Sequence, residues 1–145
     1  MSKVFTLSEA QTLLPVVEAL MRKAQAAGLQ AGMLEREMQS LNQRIFMSGG
    51  MHVDVAKAAR RRAERERSLQ EVRDTLAELE EIGVQVKDLD KGLLDFPSVM
   101  DGQEVLLCWK LGESEIGFWH TADEGFAGRK PLDGRHGKTE WERLN

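Results

Sequence analysis

The stretch Gly83–Ser98 reads GVQVKDLDKGLLDFPS, and the expected fold depends on it. Before it, apolar residues recur at helical spacing, whereas its first residues, Val84–Lys87, alternate as a strand does. Gly83 marks the change, because glycine ends a helix without steric strain. The same stretch holds three acids, Asp88, Asp90 and Asp95. It therefore predicts both the boundary between helices and sheet and one half of a polar site.

Upstream of this boundary, the sequence predicts a first long helix over residues 7–47. An apolar seam runs from Ala10 to Ile45 in alternating steps of three and four residues, which is the heptad pattern of a coiled coil. Thr6 and Glu9 form the sequence signature of a capping box at its start. This helix should be the first arm of an antiparallel hairpin.

A second helix is expected to return along the first. Ser48–Gly50 interrupts the apolar pattern, Asp54 can cap the next helix, and that helix should end at Ile82. Near the tip, however, the second arm is charged where the first is apolar. We therefore expect a homo-oligomer, most simply a homodimer, that covers the apolar residues of the first arm. The expected interface comprises Leu34, Met38, Leu41, Ile45 and Phe46.

The stretch Lys57–Arg67, KAARRRAERER, carries six basic residues and two acids. Two interpretations remain open. The arginine stems can cover the apolar arm while their charges stay solvated. Alternatively, the stretch is a patch for an anion or for nucleic acid, although the formal net charge of −4 argues against general nucleic-acid binding.

Downstream of Gly83 we expect a four-stranded, mainly antiparallel meander over residues 84–132. Its strands are predicted at 84–87, 93–96, 103–110 and 115–121, with Pro97 ending the second and Asp101-Gly102 forming a hairpin turn. One face should pack on the base of the helical hairpin. The other needs a cover, supplied by the loop at 124–132 or by a second subunit. The fold class is α+β.

The overall composition bounds the class of protein. A chain of 145 residues with 41% hydrophobic and 30% charged residues is typical of a single globular domain, here 1–132, followed by a polar tail at 133–145 that we expect to be loosely ordered. The single cysteine excludes a disulfide framework and favours a reducing compartment. No signal-peptide pattern or apolar run of membrane length is present. We expect a cytoplasmic protein.

A second polar string, HTADEGFAGR at His120–Arg129, follows the predicted sheet, and we expect it to meet Asp88–Asp95. Carboxylates with one imidazole suit a divalent ion such as Mg²⁺ or Mn²⁺, although no cofactor is specifically predicted. An Asp95–Arg129 ion pair that ties the last loop to the sheet is the structural alternative. Cys108 is assigned to the core, and no zinc pattern is evident. The candidate ligand-binding residues are Asp88, Asp90, Asp95, His120, Asp123 and Arg129. All of them except Arg129 are also candidate metal ligands. Glu124 is a further acid in the second string.

The chain to about Leu132 resembles the family of prokaryotic proteins called domain of unknown function 2203. The resemblance rests on four stretches, namely FTLSEAQTLLP at Phe5–Pro15, GVQVKDLDKGLLDFPS at Gly83–Ser98, VLLCWKLGESEIGFWH at Val105–His120 and DEGFAGRKPL at Asp123–Leu132. It implies no particular reaction. It does imply that the polar strings belong to the family signature, and that the arginine-rich stretch does not.

Three functions follow from these observations. The leading hypothesis is a non-enzymatic, homo-oligomeric interaction or scaffold protein built on the helical hairpin. The first alternative is a small metal- or anion-binding protein, which includes a hydrolase, that uses the two polar strings. The second alternative is a protein that binds nucleic acid or a ribonucleoprotein through Lys57–Arg67.

Overall fold

The computed structural model of the protein describes residues 3–49 and 55–132. Two helices are followed by one antiparallel sheet with the strand order β1-β2-β3-β4-β5. The α+β class, the helical hairpin and the antiparallel sheet are confirmed, with five strands rather than the four predicted. The elements are α1 (Leu7–Met47), α2 (Val55–Ile82), β1 (Gln85–Asp88), β2 (Leu93–Met100), β3 (Gln103–Lys110), β4 (Phe118–His120), a 3-10 turn (Phe126–Gly128) and β5 (Lys130–Pro131).

Helix α1 begins and ends where the sequence predicts. Glu9 N–H donates to Thr6 Oγ1 at 3.0 Å, and Thr6 N–H donates to Glu9 Oε1 at 2.9 Å, so the capping box is formed. Gly49, after the helix, has φ +67° and provides the left-handed turn. The predicted cap at Asp54 and the tail at 133–145 lie outside the described residues. Within the part of the chain that the structure describes, no helix combines the length and apolar character needed to cross a membrane.

The chain divides into two compact units, one formed by Arg22–Thr75 and the other by Met1–Met21 with Leu76–Asn145. In the first unit the buried residues of α1 are small or aliphatic. A Cβ added at Gly28 would lie 3.9 Å from Val72 Cγ2, so the two helices approach closely there. Leu34, expected at an oligomer interface, is only 3% exposed and is already covered within the chain. Met38, Leu41 and Ile45 are half-buried, and Phe46 is exposed.

The second unit contains the main hydrophobic core. One face of the sheet supplies Leu94, Phe96, Leu107 and Trp109, and the ends of the helices supply the remainder. The helical contributors, all buried, are Ala10, Leu14, Val17, Met21 and Leu79. As predicted, this face packs on the base of the hairpin, so the opposite face of the sheet is left for another role.

Strand β2 continues through Pro97 to Met100, which corrects the prediction that Pro97 ends it. The Pro97 carbonyl accepts a hydrogen bond from Phe5 N–H at 2.7 Å, on the side of β2 away from β3. Because a residue's N–H and C=O point to the same side of a strand, the missing N–H of Pro97 costs no hydrogen bond to β3. Ser98 Oγ donates to the Phe5 carbonyl at 2.6 Å and completes this edge.

The register between β3 and β4 also differs from the prediction. We expected Val105 opposite His120, whereas the structure pairs Leu106 with His120. A wider connection between the strands causes the difference. Lys110 N–H donates to the Glu113 side chain, and Trp109 Nε1 donates to the Glu113 carbonyl. These bonds hold the chain away from β3 at this point, so β4 begins later than a tight turn would allow. A one-residue slip moves a side chain to the opposite face. His120 therefore lies on the face of Leu106, away from the main core.

Gly83 provides a direct test of this packing. Its φ is +108°, and a Cβ there would lie 3.0 Å from Lys3 Cβ and 3.2 Å from Phe5 Cζ. Gly112 has nearly the same φ, +106°, but a Cβ there would meet nothing within 4 Å. Both alanine variants should be strained, and Gly83→Ala should lose about 1–3 kcal/mol more free energy of unfolding than Gly112→Ala, because overpacking adds to the strain. Chemical denaturation of the pair measures this difference, and equal losses would contradict the packing described.

Candidate functional site

Three chemically active side chains meet on the second face of the sheet. Pairing of β2 with β3 places Asp95 directly opposite Cys108, and pairing of β3 with β4 places His120 opposite Leu106. Residues paired across antiparallel strands share a face, and so do alternate residues of one strand. Asp95, Cys108 and His120 therefore converge from three neighbouring strands.

This cluster is almost completely buried. Asp95 and Cys108 are each 2% exposed and His120 is 3% exposed. One oxygen, sulfur or nitrogen atom from each lies within 4.8 Å of the corresponding atoms of the other two. Buried polar groups normally satisfy one another or bind an ion. The hydrogen bonds of the cluster distinguish these cases.

The ring of His120 is fixed at both nitrogens. Nδ1 lies 2.8 Å from the Thr121 carbonyl, which can only accept, so Nδ1 carries the proton. Nε2 lies 3.1 Å from Asp95 Oδ1. A hydrogen bond at that distance requires one further proton, donated either by Nε2 to the carboxylate or by a protonated Asp95 to Nε2. An incoming cation can take the place of this proton.

Asp95 has one carboxyl oxygen that can still accept a hydrogen bond. Its second oxygen, Oδ2, is buried, and no donor among the described residues completes a hydrogen bond to it. Burial raises the pKa of the Asp95 carboxyl. His120, Lys87 and the Cys108 thiol lower this pKa, but by less than burial raises it. Burial also raises the pKa of the Cys108 thiol, to about 11, and the neighbouring Asp95 contributes to that rise. Both acids are therefore held toward their protonated forms in the absence of a cation.

A cavity of about 380 Å³ opens beside the cluster. On one side the register of β1 against β2 shifts between Val86 and Asp88, and as a result both Lys87 and Asp88 line the cavity. Asp95, Cys108 and His120 form the floor. The remaining lining residues are Leu93 and Leu106 from the sheet, with Ala122, Glu124, Gly125 and Phe126 from the loop after β4.

The loop after β4 is the cover that the second face was expected to need. Glu124 Oε1 accepts hydrogen bonds from Thr121 Oγ1 at 2.9 Å and from Lys130 Nζ at 2.6 Å. The Lys130 ammonium, together with the Thr121 N–H and hydroxyl, lowers the pKa of Glu124 to about 2. Glu124 is therefore a structural anion that ties the loop to β5.

Arg129 closes the other end of the loop, and its partner is not the one predicted. It pairs with Glu113 at 2.9 Å, while Asp95 pairs with His120, so the expected Asp95–Arg129 lock is wrong. The guanidinium also lies 3.8 Å from the ring centre of Phe118 and 4.2 Å from that of Phe126. These contacts hold Phe126 where it lines the cavity.

The predicted site residues thus fall into two groups. Asp88, Asp95 and His120 line the cavity together with Glu124. Asp90, Asp123 and Arg129 do not line it, and Asp123 instead shares the proton of the Thr121 hydroxyl with Glu124, its Oδ1 lying 2.7 Å from Thr121 Oγ1.

Cys108, which the sequence analysis assigned to the core, is the site residue that was missed. A signal for it was present, because counting back along both strands from the two-residue turn at Asp101-Gly102 pairs Asp95 with Cys108. The observed φ values of +52° and +76° in that turn are those of the tight hairpin this counting assumes.

The arginine-rich stretch of α2 is partly used inside its own unit. Arg61 Nε pairs with Glu37 at 2.9 Å, and Arg65 pairs with Glu35. Both glutamates lie on α1, so these arginines lie against the other arm of the hairpin. This favours the interpretation in which the stems cover the apolar arm, and it leaves fewer cations for a nucleic acid.

These features define a small α+β protein with a buried Asp-Cys-His cluster at a partly open cavity. Residues 3–132 match the family described as an uncharacterized conserved protein, DUF2203, and the chain belongs to that family. The predicted family is thereby confirmed. Neither a curated protein nor a solved structure matches the chain.

The reactivity of Cys108 tests the burial and the pKa of the thiol. Without added metal, the thiol should react with iodoacetamide at least about tenfold more slowly at pH 8 than the same thiol in guanidinium-unfolded protein, since only the thiolate reacts. Its rate should rise with pH up to about 11, the pKa to which burial raises this thiol. Mass spectrometry of quenched samples measures the rate. Reaction at the unfolded rate would contradict the burial described.

Proposed function

We propose that the protein binds one divalent transition-metal ion, zinc by preference, through Asp95 Oδ, Cys108 Sγ and His120 Nε2. The observation that carries the proposal is the convergence of these three buried donors within 4.8 Å of one another beside a cavity. This is the metal-binding alternative of the sequence analysis with a different set of ligands. Two of the predicted residues remain, and a thiolate replaces the other carboxylates.

The donor set favours zinc over magnesium or calcium. Magnesium and calcium bind almost entirely through oxygen, whereas zinc accepts sulfur, nitrogen and oxygen together at about 2.0–2.3 Å. Three protein ligands with the fourth position open to a cavity is the arrangement of catalytic rather than structural zinc sites. The hydrogen bond from His120 Nδ1 to the Thr121 carbonyl also suits a ligand, because metal-binding histidines usually donate their other N–H in this way.

The competing interpretation is a hydrogen-bonded polar cluster with no ligand. Such a cluster is stable when every member is satisfied, and buried polar atoms that lack partners are rare. Asp95 Oδ2 is buried and lacks a partner among the described residues, and thus a purely structural cluster leaves one acceptor unsatisfied. A bound cation would satisfy it.

When bound, zinc would supply Lewis acidity at the cavity floor and lower the pKa of a water molecule in its fourth position. The chain's own residues would fix the geometry. His120 is oriented by the Thr121 carbonyl, and the loop anchored by Arg129 to Glu113 limits access of solvent.

Metal binding should depend on all three donors. Wild-type protein, stripped with a chelator and reloaded, should hold one zinc per chain, and Asp95→Asn, Cys108→Ala and His120→Gln should each weaken binding by at least about 100-fold, as loss of a direct ligand does. Competition with a chromophoric chelator measures the affinity. Asp90→Asn is the matched control, since Asp90 is exposed and does not line the cavity. Equal affinity in His120→Gln and wild type would contradict the proposal.

A second candidate function is self-association through the hairpin, which was the leading hypothesis from sequence. It is supported by large apolar side chains that are exposed at the end of α1 and at the start of α2. Phe46 is 83% exposed, Met47 is 78% exposed and Val55 is 69% exposed. With Leu34 covered, the proposed interface consists of Phe46, Met47 and Val55 with the half-buried Met38, Leu41 and Ile45.

Sedimentation measurements test this second candidate. Wild-type protein should sediment as a dimer at tens of micromolar, and Phe46→Ser with Met47→Ser should convert it to a monomer because exposed apolar area drives association. The matched control is Leu29→Ser, a change at an exposed residue on α1 outside the proposed interface, which should leave the dimer intact. A wild-type monomer would contradict the candidate.

A further inference from the structure

The charged side chains on the cavity wall differ in whether neighbouring residues already bind them. Lys87 is the one cation among the described residues that line it, and Asp88 and Glu124 are the acids outside the proposed metal ligands. The Glu124 carboxylate is compensated by Lys130 at 2.6 Å. Asp88 accepts a hydrogen bond from Lys91 N–H at 3.0 Å through Oδ1. Both acids are therefore engaged by the turn or loop to which they belong.

Lys87 is placed beside the metal ligands by the alternation of β1, because Gln85 pairs with Asp95 and Lys87 is the next residue on that face. The charge of Lys87 acts there on the Asp95 carboxyl, and the shift in register between Val86 and Asp88 brings Asp88 to the same cavity. A regular strand would place Lys87 and Asp88 on opposite faces of the sheet. The lysine thus belongs to the same side of the cavity as the proposed metal position.

The remaining wall is apolar. Leu93 and Leu106 come from the sheet, and Phe126 comes from the loop. Arg129 lies 4.2 Å from the ring centre of Phe126, and Lys110 lies 5.7 Å from it, so the ring is anchored by cations. A cavity of about 380 Å³ with apolar walls and a few convergent polar groups is within the size range of small-molecule sites.

We propose that this cavity binds a small organic monoanion, a carboxylate with an apolar body, whose oxygen occupies the fourth metal position and also accepts a hydrogen bond from Lys87. This inference rests on the proposed metal site. The body of the ligand lies against Leu93, Leu106 and Phe126. Carboxylate oxygen is a ligand that zinc accepts readily.

The donor on the cavity wall favours a carboxylate. A divalent ion with the Asp95 carboxylate, the Cys108 thiolate and neutral His120 carries no net charge, so the metal centre alone attracts anions weakly. Lys87 and Asp88 add one charge of each sign, and of the two only Lys87 can donate a charge-assisted hydrogen bond to a carboxylate. A dianion would bring a charge without a partner into a partly buried site. A protonated amine has no lone pair for the metal.

The test uses the 145-residue chain loaded with Co²⁺, whose visible spectrum reports both the thiolate ligand and any change in coordination. Butyrate should shift this spectrum in a saturable way, whereas butylammonium should not. With every variant held at saturating Co²⁺, Lys87→Met should weaken butyrate binding about tenfold, the contribution of one hydrogen bond to a charged group. Lys91→Met, at an exposed lysine that does not line the cavity, should behave as wild type.

The outcomes separate this inference from the proposed function. Failure of the wild-type protein to bind Co²⁺ would contradict the metal site and the inference that rests on it. Binding of Co²⁺ with no response to butyrate would overturn only the inference. The same follows if butylammonium binds as tightly as butyrate, or if Lys87→Met and Lys91→Met bind butyrate equally.

Discussion

The pairing of β2 with β3 is the constraint on which the rest of the site depends. The Asp101-Gly102 turn, with both residues at positive φ, allows only one register between the two strands. That register assigns alternate residues to the core face and to the cavity face. If β3 slipped by one residue against β2, Cys108 would turn into the main core and Trp109 into the cavity, while Asp95 would keep its face and lose Cys108 as a neighbour. Fold and site are therefore specified by the same backbone hydrogen bonds.

Burial then makes the cluster chemically distinctive. Asp95 and His120 are of types that are rarely buried without a partner, and Cys108 is reactive when its thiol is ionised. Enclosing all three raises the cost of ionising the acid and the thiol, and the hydrogen bond to His120 and the nearby charges of Lys87 and Arg129 offset that cost only in part. A cation at the centre would reverse this balance, because it favours the ionised forms that burial disfavours. Burial thus moves the acid and the thiol toward their protonated forms, and a bound cation would move them toward their ionised forms.

The sequence predicted the regular elements well because they depend on local signals. The capping box of Thr6 and Glu9, the stop at Gly83 and the hairpin turn each act within a few residues. The partner of Arg129 and the face of His120 depend on the seven-residue connection between β3 and β4, whose path no short motif fixes. Cys108 was missed for another reason. Its neighbours in sequence are apolar, and its polar neighbours are supplied by other strands.

X-ray absorption at the zinc edge of the loaded protein tests the central claim most directly, because it counts the atoms around the metal. With Asp95, Cys108, His120 and one exogenous ligand, the spectrum should contain one sulfur at about 2.3 Å and three nitrogen or oxygen atoms at about 2.0–2.2 Å. Cys108→Ser should remove the sulfur contribution. A first shell of oxygen and nitrogen alone in the wild-type protein would contradict the account.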